Sequence, residues 1–254
     1  MDALIGFSGF VGENLVSKLD TGTKLYNTKN IQYVLGKEFS TLYITAIQAK
    51  KWWANQNPEE DKQLIDNLLS HLENVSAKRV VFISTVDVYQ PPLNADEDTA
   101  LNADIHAYGA NRLYAEERVK SLFQKVHIVR VQGLVASNLS KNVVFDLKNK
   151  NILETINPSS TLQWYPLQRL YSDINIVIDN DIELINLSVE PIETRQIIDI
   201  APLSSEERKL TSSKPAAPVH YNVTSKHASH FGGRDGYIVS AKESLAAIAQ
   251  YFSE

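Results

Sequence analysis

The chain has 254 residues, 43% of them hydrophobic and 22% charged, which is ample material for a buried core and fits an ordinary soluble globular protein. A formal net charge of -5, with no long run of Lys and Arg, leaves no electrostatic footprint for nucleic acid. The absence of cysteine excludes a disulfide framework, a thiolate metal site and a catalytic thiol, and no stretch reaches the roughly eighteen apolar residues of a membrane span.

In chain order, the first strand pattern, Ala3 to Gly6, begins almost at Met1. That start leaves no room for a cleaved leader, so the expected compartment is the cytoplasm. Further strand patterns run over Lys24 to Asn27, Thr41 to Ala46, Arg79 to Ser84 and Val126 to Val131, alternating with helical patterns at Val11 to Leu19, Glu59 to Glu73 and Tyr108 to Phe123. The run Val80-Val81-Phe82-Ile83 is continuous rather than alternating, as in a central strand buried on both faces. In the second helix Leu64, Ile65, Leu68, Leu69 and Leu72 fall at three-to-four spacing and predict one sheet-facing stripe. Such repeated strand and helix units predict an α/β fold with a parallel sheet. Beyond about residue 135 prolines punctuate shorter elements, as in a cap or substrate region. Ser204 to Pro218 reads as a mobile loop, and a last helix is predicted over Ala241 to Phe252.

Between the first strand and helix lies Gly6-Phe7-Ser8-Gly9-Phe10-Val11-Gly12. A strand-turn-helix of this kind uses glycine for a tight turn, for approach of backbone N–H groups to a pyrophosphate and for close packing of helix on strand, with the anion at the helix N-terminus. Gly6, Ser8, Gly9, Phe10, Val11 and Gly12 are therefore expected to bind a dinucleotide, with Ala46 beside them. A nucleophile elbow around Ser8 fails because Phe10 stands where glycine is needed, and no Gly-Lys-Ser/Thr follows for a phosphate-binding loop of the NTPase kind. After the second strand Asn27-Thr28-Lys29 replaces the acidic residue expected of an NAD site. These neutral and basic groups tolerate a 2′-phosphate better and favour NADP over NAD.

The central strand ends in Ser84-Thr85-Val86-Asp87-Val88-Tyr89, and the third helix opens with Tyr108-Gly109-Ala110-Asn111-Arg112-Leu113-Tyr114-Ala115-Glu116. With the glycine turn, these motifs stand in an order that resembles the extended short-chain dehydrogenase/reductase superfamily, the NAD-dependent epimerases and dehydratases. The later Asn186-Leu187-Ser188-Val189-Glu190-Pro191 is a weaker echo of the same pattern. The resemblance implies a Rossmann-type doubly wound parallel sheet with a small C-terminal substrate or cap region. Residues 1–135 would form the NAD(P)-binding core, and 136–254 a mixed substrate-binding region interleaved with the last strands and helices of that core.

It further implies hydride transfer at a hydroxyl or keto carbon of a sugar or nucleotide-sugar. Thr85 would hold the substrate oxygen, Tyr108 with a depressed pKa would be acid/base, and residue 112 would bind the nicotinamide ribose and supply a cation. Tyr108 and Arg112, at i and i+4, share a helix face. The expected Lys is Arg112 and the expected Ser is Asn111, and a planar fork is not a compact ammonium. Arg112 thus favours a rival reading, a non-catalytic NADP-binding sensor or scaffold. Asp87, where some dehydratases carry an acid, leaves nucleotide-sugar dehydration open as another.

On the substrate side, Gln48-Ala49-Lys50-Lys51-Trp52-Trp53 follows a strand at its carboxyl end, where ligands of open α/β sheets bind. Lys51 could meet a phosphate, and Trp52 could stack on a sugar or base unless it anchors a helix to the core. Asn142 and Arg169 are further expected contacts. His220, His227 and His230 lack metal-ligand context, so no metal is expected. The expected partners are a small-molecule substrate and a second copy of the chain, paired through sheet-flanking helices as the family commonly is, with neither nucleic acid nor membrane.

Overall fold

A computed structural model describes residues 1–102 and 104–254. It divides into two compact units: the first comprises Met1–Pro91, Thr99–Val131 and Arg169–Asn186, the second Pro92–Asp98, Gln132–Gln168 and Leu187–Glu254.

The first unit is built on six parallel strands: β1 (Ala3–Ile5), β2 (Lys24–Tyr26), β3 (Glu38–Ile44), β4 (Ser76–Thr85), β5 (Val126–Val131) and β6 (Leu184–Asn186). Their order across the sheet is β6-β5-β4-β3-β1-β2. All five pairings are parallel, as expected for strands that read as continuous apolar runs and are covered on both faces. The chain first steps outward from β1 to β2, through α1 (Phe10–Val16), and then returns past β1 to β3 by a single 3-10 turn at Ile31–Val34. The order therefore reverses between β1 and β3, the switch point at whose carboxyl side an open α/β sheet binds ligands.

The remaining helices of this unit are α2 (Lys51–Gln56), α3 (Pro58–Ser70), α4 (Ala107–Leu122) and α5 (Leu170–Asp179). Pro58 at the first helical position and Glu59, Glu60 and Asp61 in the first turn suit the start of α3, where orphan N–H groups and the positive dipole end favour them. Ile65, Leu69 and Leu72 pack with Ala115 and Val119 of α4 against Leu42, Ile44, Val80, Phe82 and Ile128 of the sheet, giving one apolar core. Leu64, by contrast, is exposed.

The second unit contains short elements, among them helices Val143–Asn149, Thr194–Ile200, Ser205–Leu210 and Ala241–Ser253. The segment expected to be a loop from Ser204 to Pro218 is a helix over Ser205–Leu210. A capping box explains the difference: Ser204 accepts from the Glu207 N–H while the Glu207 side chain accepts from the Ser204 N–H. Among the described residues no helix is long and apolar enough to cross a membrane.

Candidate functional site

Because every sheet strand runs the same way, β1, β3 and β4 all deliver their following loops to the carboxyl edge. The glycine turn leaves β1 with Gly6 at φ +95°, in the region that disfavours side chains. A Cβ on Gly6 would stand 2.7 Å from the backbone of Ala46, and one on Gly12 would stand 2.1 Å from the Gly6 carbonyl oxygen. Close packing of helix, turn and β3 accounts for both glycines and puts Ala46 against the turn.

Gly9 is different. It sits at the N-cap of α1 with ordinary extended backbone (φ -91°, ψ 164°), and an added Cβ would meet only the Gly6 oxygen, at 3.4 Å. Nothing among the described residues requires glycine there. Open space over an exposed helix N-terminus is the room a pyrophosphate needs to approach backbone N–H groups, so the residues fit a dinucleotide. At the end of β2, Asn27 accepts from the Lys29 N–H and its Nδ2 reaches Ser8 Oγ at 3.4 Å, which draws that turn to the glycine turn. Thr28 and Lys29 beside it are exposed.

Thr85 ends β4 and caps the following 3-10 turn, its Oγ1 accepting from the Asp87 N–H at 3.1 Å. Tyr108 lies in the first turn of α4, buried at 5% exposure. Gly109 makes the approach possible, since a Cβ there would stand 2.3 Å from the Asp87 carbonyl oxygen. The start of α4 is held from two sides: Asn55 Oδ1 accepts from the Tyr108 N–H at 2.9 Å, and His106 Nδ1 accepts from the Gly109 N–H at 3.0 Å. Thr85, Tyr108 and Arg112 thus lie together.

The electrostatics differ from the expected depressed tyrosine. Burial drives the Tyr108 phenol above the ordinary tyrosine value and Asp87 adds to the rise, while the Arg112 charge and hydrogen bonds from Thr85 and Arg112 oppose it. His106, 6.2 Å ring to ring from Tyr108, is held below the usual histidine range by burial and by Lys51.

Arg112 is only 4% exposed. Its Nη1 donates to Asp61 Oδ2 at 2.7 Å, and its Nη2 donates to Asp61 Oδ1 at 3.0 Å and to the Gln48 carbonyl oxygen at 2.5 Å. Its guanidinium carbon lies 4.4 Å from the Tyr108 ring centroid. The residue expected to reach a nicotinamide ribose spends three of its five donors on Asp61 and Gln48 alone. Asn111 donates to the same carboxylate at 2.9 Å. Sequence reasoning missed Asp61, which looks like one of three acids at a helix start.

Lys51 meets Asp87 at 2.7 Å rather than standing alone, and Trp52 is 67% exposed, so it does not anchor α2 to the core. Arg169 opens α5 and pairs with Asp173 at 3.2 Å. Asn142, in the second unit, caps the helix Val143–Asn149 by accepting from the Phe145 N–H and donates to the Leu134 carbonyl. That gives it a structural task at both ends of its amide.

A second polar cluster lies wholly inside the first unit. Glu116, 0% exposed, takes Arg130 Nε at 3.0 Å and Nη2 at 2.6 Å, and also accepts from Ser84 Oγ at 2.5 Å. Arg130 Nη1 donates to the Tyr89 hydroxyl at 2.8 Å, which also bonds Asn186. Three strands and α4 are tied together directly behind Thr85.

The sequence profile of the NAD dependent epimerase/dehydratase family matches residues 22–153, more than half of the chain. The chain belongs to that family. Its members are enzymes that work with a nicotinamide cofactor. Among solved structures, a dTDP-4-dehydrorhamnose reductase from Bacillus anthracis in complex with NADP is 17% identical, covering 100% of this chain and 98% of its own at a TM-score of 0.72. A UDP-glucose 4-epimerase from Thermotoga maritima with UDP-glucose is 13% identical, covering 100% and 99% at 0.64. MoeE5, in complex with UDP-glucuronic acid and NAD, is 15% identical with the same coverage at 0.70. At these identities the likeness establishes the fold, a Rossmann-type parallel sheet. No protein of curated function matches the sequence.

Proposed function

We propose that this family member is an NAD(P)-dependent oxidoreductase or epimerase that acts on a hydroxyl or keto carbon of a sugar or nucleotide-sugar, with Tyr108 moving the proton. The observation that carries the reading is the convergence of Thr85, Tyr108 and Arg112 at the sheet edge that also carries the glycine turn. A bound nicotinamide supplies the hydride donor or acceptor. The chain supplies the rest. Thr85 Oγ1 holds the substrate oxygen, the Tyr108 phenol gives or takes its proton, and the Arg112 charge stabilises the phenolate from beneath the ring.

In the reductive direction the Tyr108 phenol, whose pKa burial raises, gives its proton to the carbonyl oxygen. The exposed Gly9 N-cap would receive the pyrophosphate, and Asn27, Thr28 and Lys29 favour a 2′-phosphate, hence NADP. The nucleotide sugars in the Thermotoga maritima epimerase and MoeE5 structures support the substrate class.

A dehydration variant has one observation in its favour: Asp87, held by Lys51, contributes to the field at Tyr108. As a base it would remove the proton beside a transient ketone while hydroxide leaves the adjacent carbon as water; once hydride has added to that adjacent carbon, the deprotonated carbon would take back a proton from solvent, so deuterium would enter there and be lost in Asp87→Asn.

The test is a titration of purified protein with NADPH and NADH, followed by nucleotide and tryptophan fluorescence, with Gly9→Asp as control. Saturable binding lost in the variant is expected, and tighter binding of NADPH. No binding of either nucleotide overturns the reading.

A further inference from the structure

The buried carboxylate of Asp61 is not used by the chemistry just described, yet it organises the residues that are. It is 2% exposed, comes from the first turn of α3, and accepts from Asn111 Nδ2, Arg112 Nη1 and Arg112 Nη2. Fork-to-fork pairing fixes the plane of a guanidinium as well as its position. The Gln48 carbonyl closes the remaining side, and the Tyr108 ring lies over the guanidinium at 4.4 Å. Asp61 is the partner that holds both terminal nitrogens of the Arg112 guanidinium at once.

We infer that Asp61 is a positioning residue which clamps Arg112 beneath the Tyr108 ring, so that Arg112 serves Tyr108 and not the cofactor ribose. The inference rests on the reading of Tyr108 as the proton-transfer group. It also explains why Asn111 and Arg112 depart together from the Ser and Lys of the resembling motif: both donate to the one carboxylate. The other titratable groups around the phenol are Asp87, which is paired with Lys51, and His106, which caps α4.

The experiment is NMR on the full chain, with 13C-tyrosine and 15N-arginine labels assigned by Tyr108→Phe and Arg112→Met. In the unaltered chain Arg112 is expected to show separate Nη signals, because its fork cannot rotate. Asp61→Ala is expected to merge those signals and to move the Tyr108 ring signals in the same direction as Arg112→Met, by at least half as much. The double variant should move them no further than Arg112→Met alone, and Asp61→Glu should bring them back toward their original positions.

Removal of a carboxylate acting only through its charge would instead affect the ring opposite to removal of a cation. Ring signals that stay in place in Asp61→Ala, or move the other way, overturn the clamp. If Asp61→Ala does not fold, Asp61→Asn, which leaves a single acceptor, serves in its place: merged Nη signals support the clamp and persistent separate ones overturn it. Nucleotide titration of the same samples keeps the two readings apart, since absent binding with an intact Arg112 signature overturns the oxidoreductase reading only.

Discussion

Replacing Arg130 by leucine tests whether the buried cluster behind Thr85 is an obligatory unit. In the native chain Arg130 satisfies both oxygens of Glu116, which has no solvent exposure, and donates to Tyr89. Arg130→Leu leaves that carboxylate with the Ser84 hydroxyl alone. Breaking one partner of a buried ion pair costs about 3–5 kcal/mol, because the other charge remains uncompensated. At about 2–4 °C per kcal/mol for a chain of this size, that is a fall in Tm of roughly 6–20 °C. The double change Glu116→Leu with Arg130→Leu removes the charge along with its partner and should recover most of the loss, since an apolar pair of similar volume is close to neutral there. Urea denaturation followed by circular dichroism measures all three proteins. A loss below about 1 kcal/mol in Arg130→Leu, or a double variant no better than the single, refutes the reasoning.

The glycines of the turn should separate cleanly: Gly12→Ala, whose Cβ would meet backbone at 2.1 Å, is expected to yield little folded protein, while Gly9→Asp keeps Tm within about 2 °C and loses at least about tenfold in nucleotide affinity. Tyr108→Phe should lower turnover by about 10²-fold or more and leave nucleotide affinity within about twofold, measured by steady-state kinetics and fluorescence titration. Arg112→Lys gives up the bidentate pair with Asp61 and is expected to lower both stability, by about 1–3 kcal/mol, and turnover; unchanged turnover would refute a working role for the guanidinium. Tyr43 is pushed up to about 12, first by burial and then by Asp2, and Tyr108 is raised too. Groups raised in the folded state stabilise it fully below their unfolded pKa, so stability should fall as pH climbs from 10 toward 12. Absorbance at 295 nm should show late-ionising tyrosines, with a smaller late step in Tyr43→Phe.

The strands were legible where burial on both faces leaves mostly apolar side chains, and Val126–Val131 has the predicted bounds. The glycine turn was legible because its contacts are local: strand, turn and helix follow one another in the chain. Less visible were elements held by distant partners. The short α2 is polar apart from its tryptophans and Ala54 and gives no stripe, and the Ser204–Glu207 capping box sits in a stretch whose composition reads as loop. Arg130 interrupts an apolar strand, a signal that a buried counter-charge exists, but nothing in the spacing points to Glu116 as that charge. Asp61 was hidden because an acid in the first turn of a helix already has an ordinary explanation in the dipole. Only the joint change to Asn111 and Arg112 hinted at a shared acceptor.

The Asp61 clamp also bears on how such a site can change over generations. A lysine at 112 beside Asp61 would offer one donor head where two oxygens wait, and an arginine at 112 without Asp61 would be a buried cation with no counter-charge. Each single step is costly where the pair of steps together need not be. Descent between the lysine and arginine forms of this site is therefore expected to cross a fitness valley, with positions 61 and 112 exchanged as a unit.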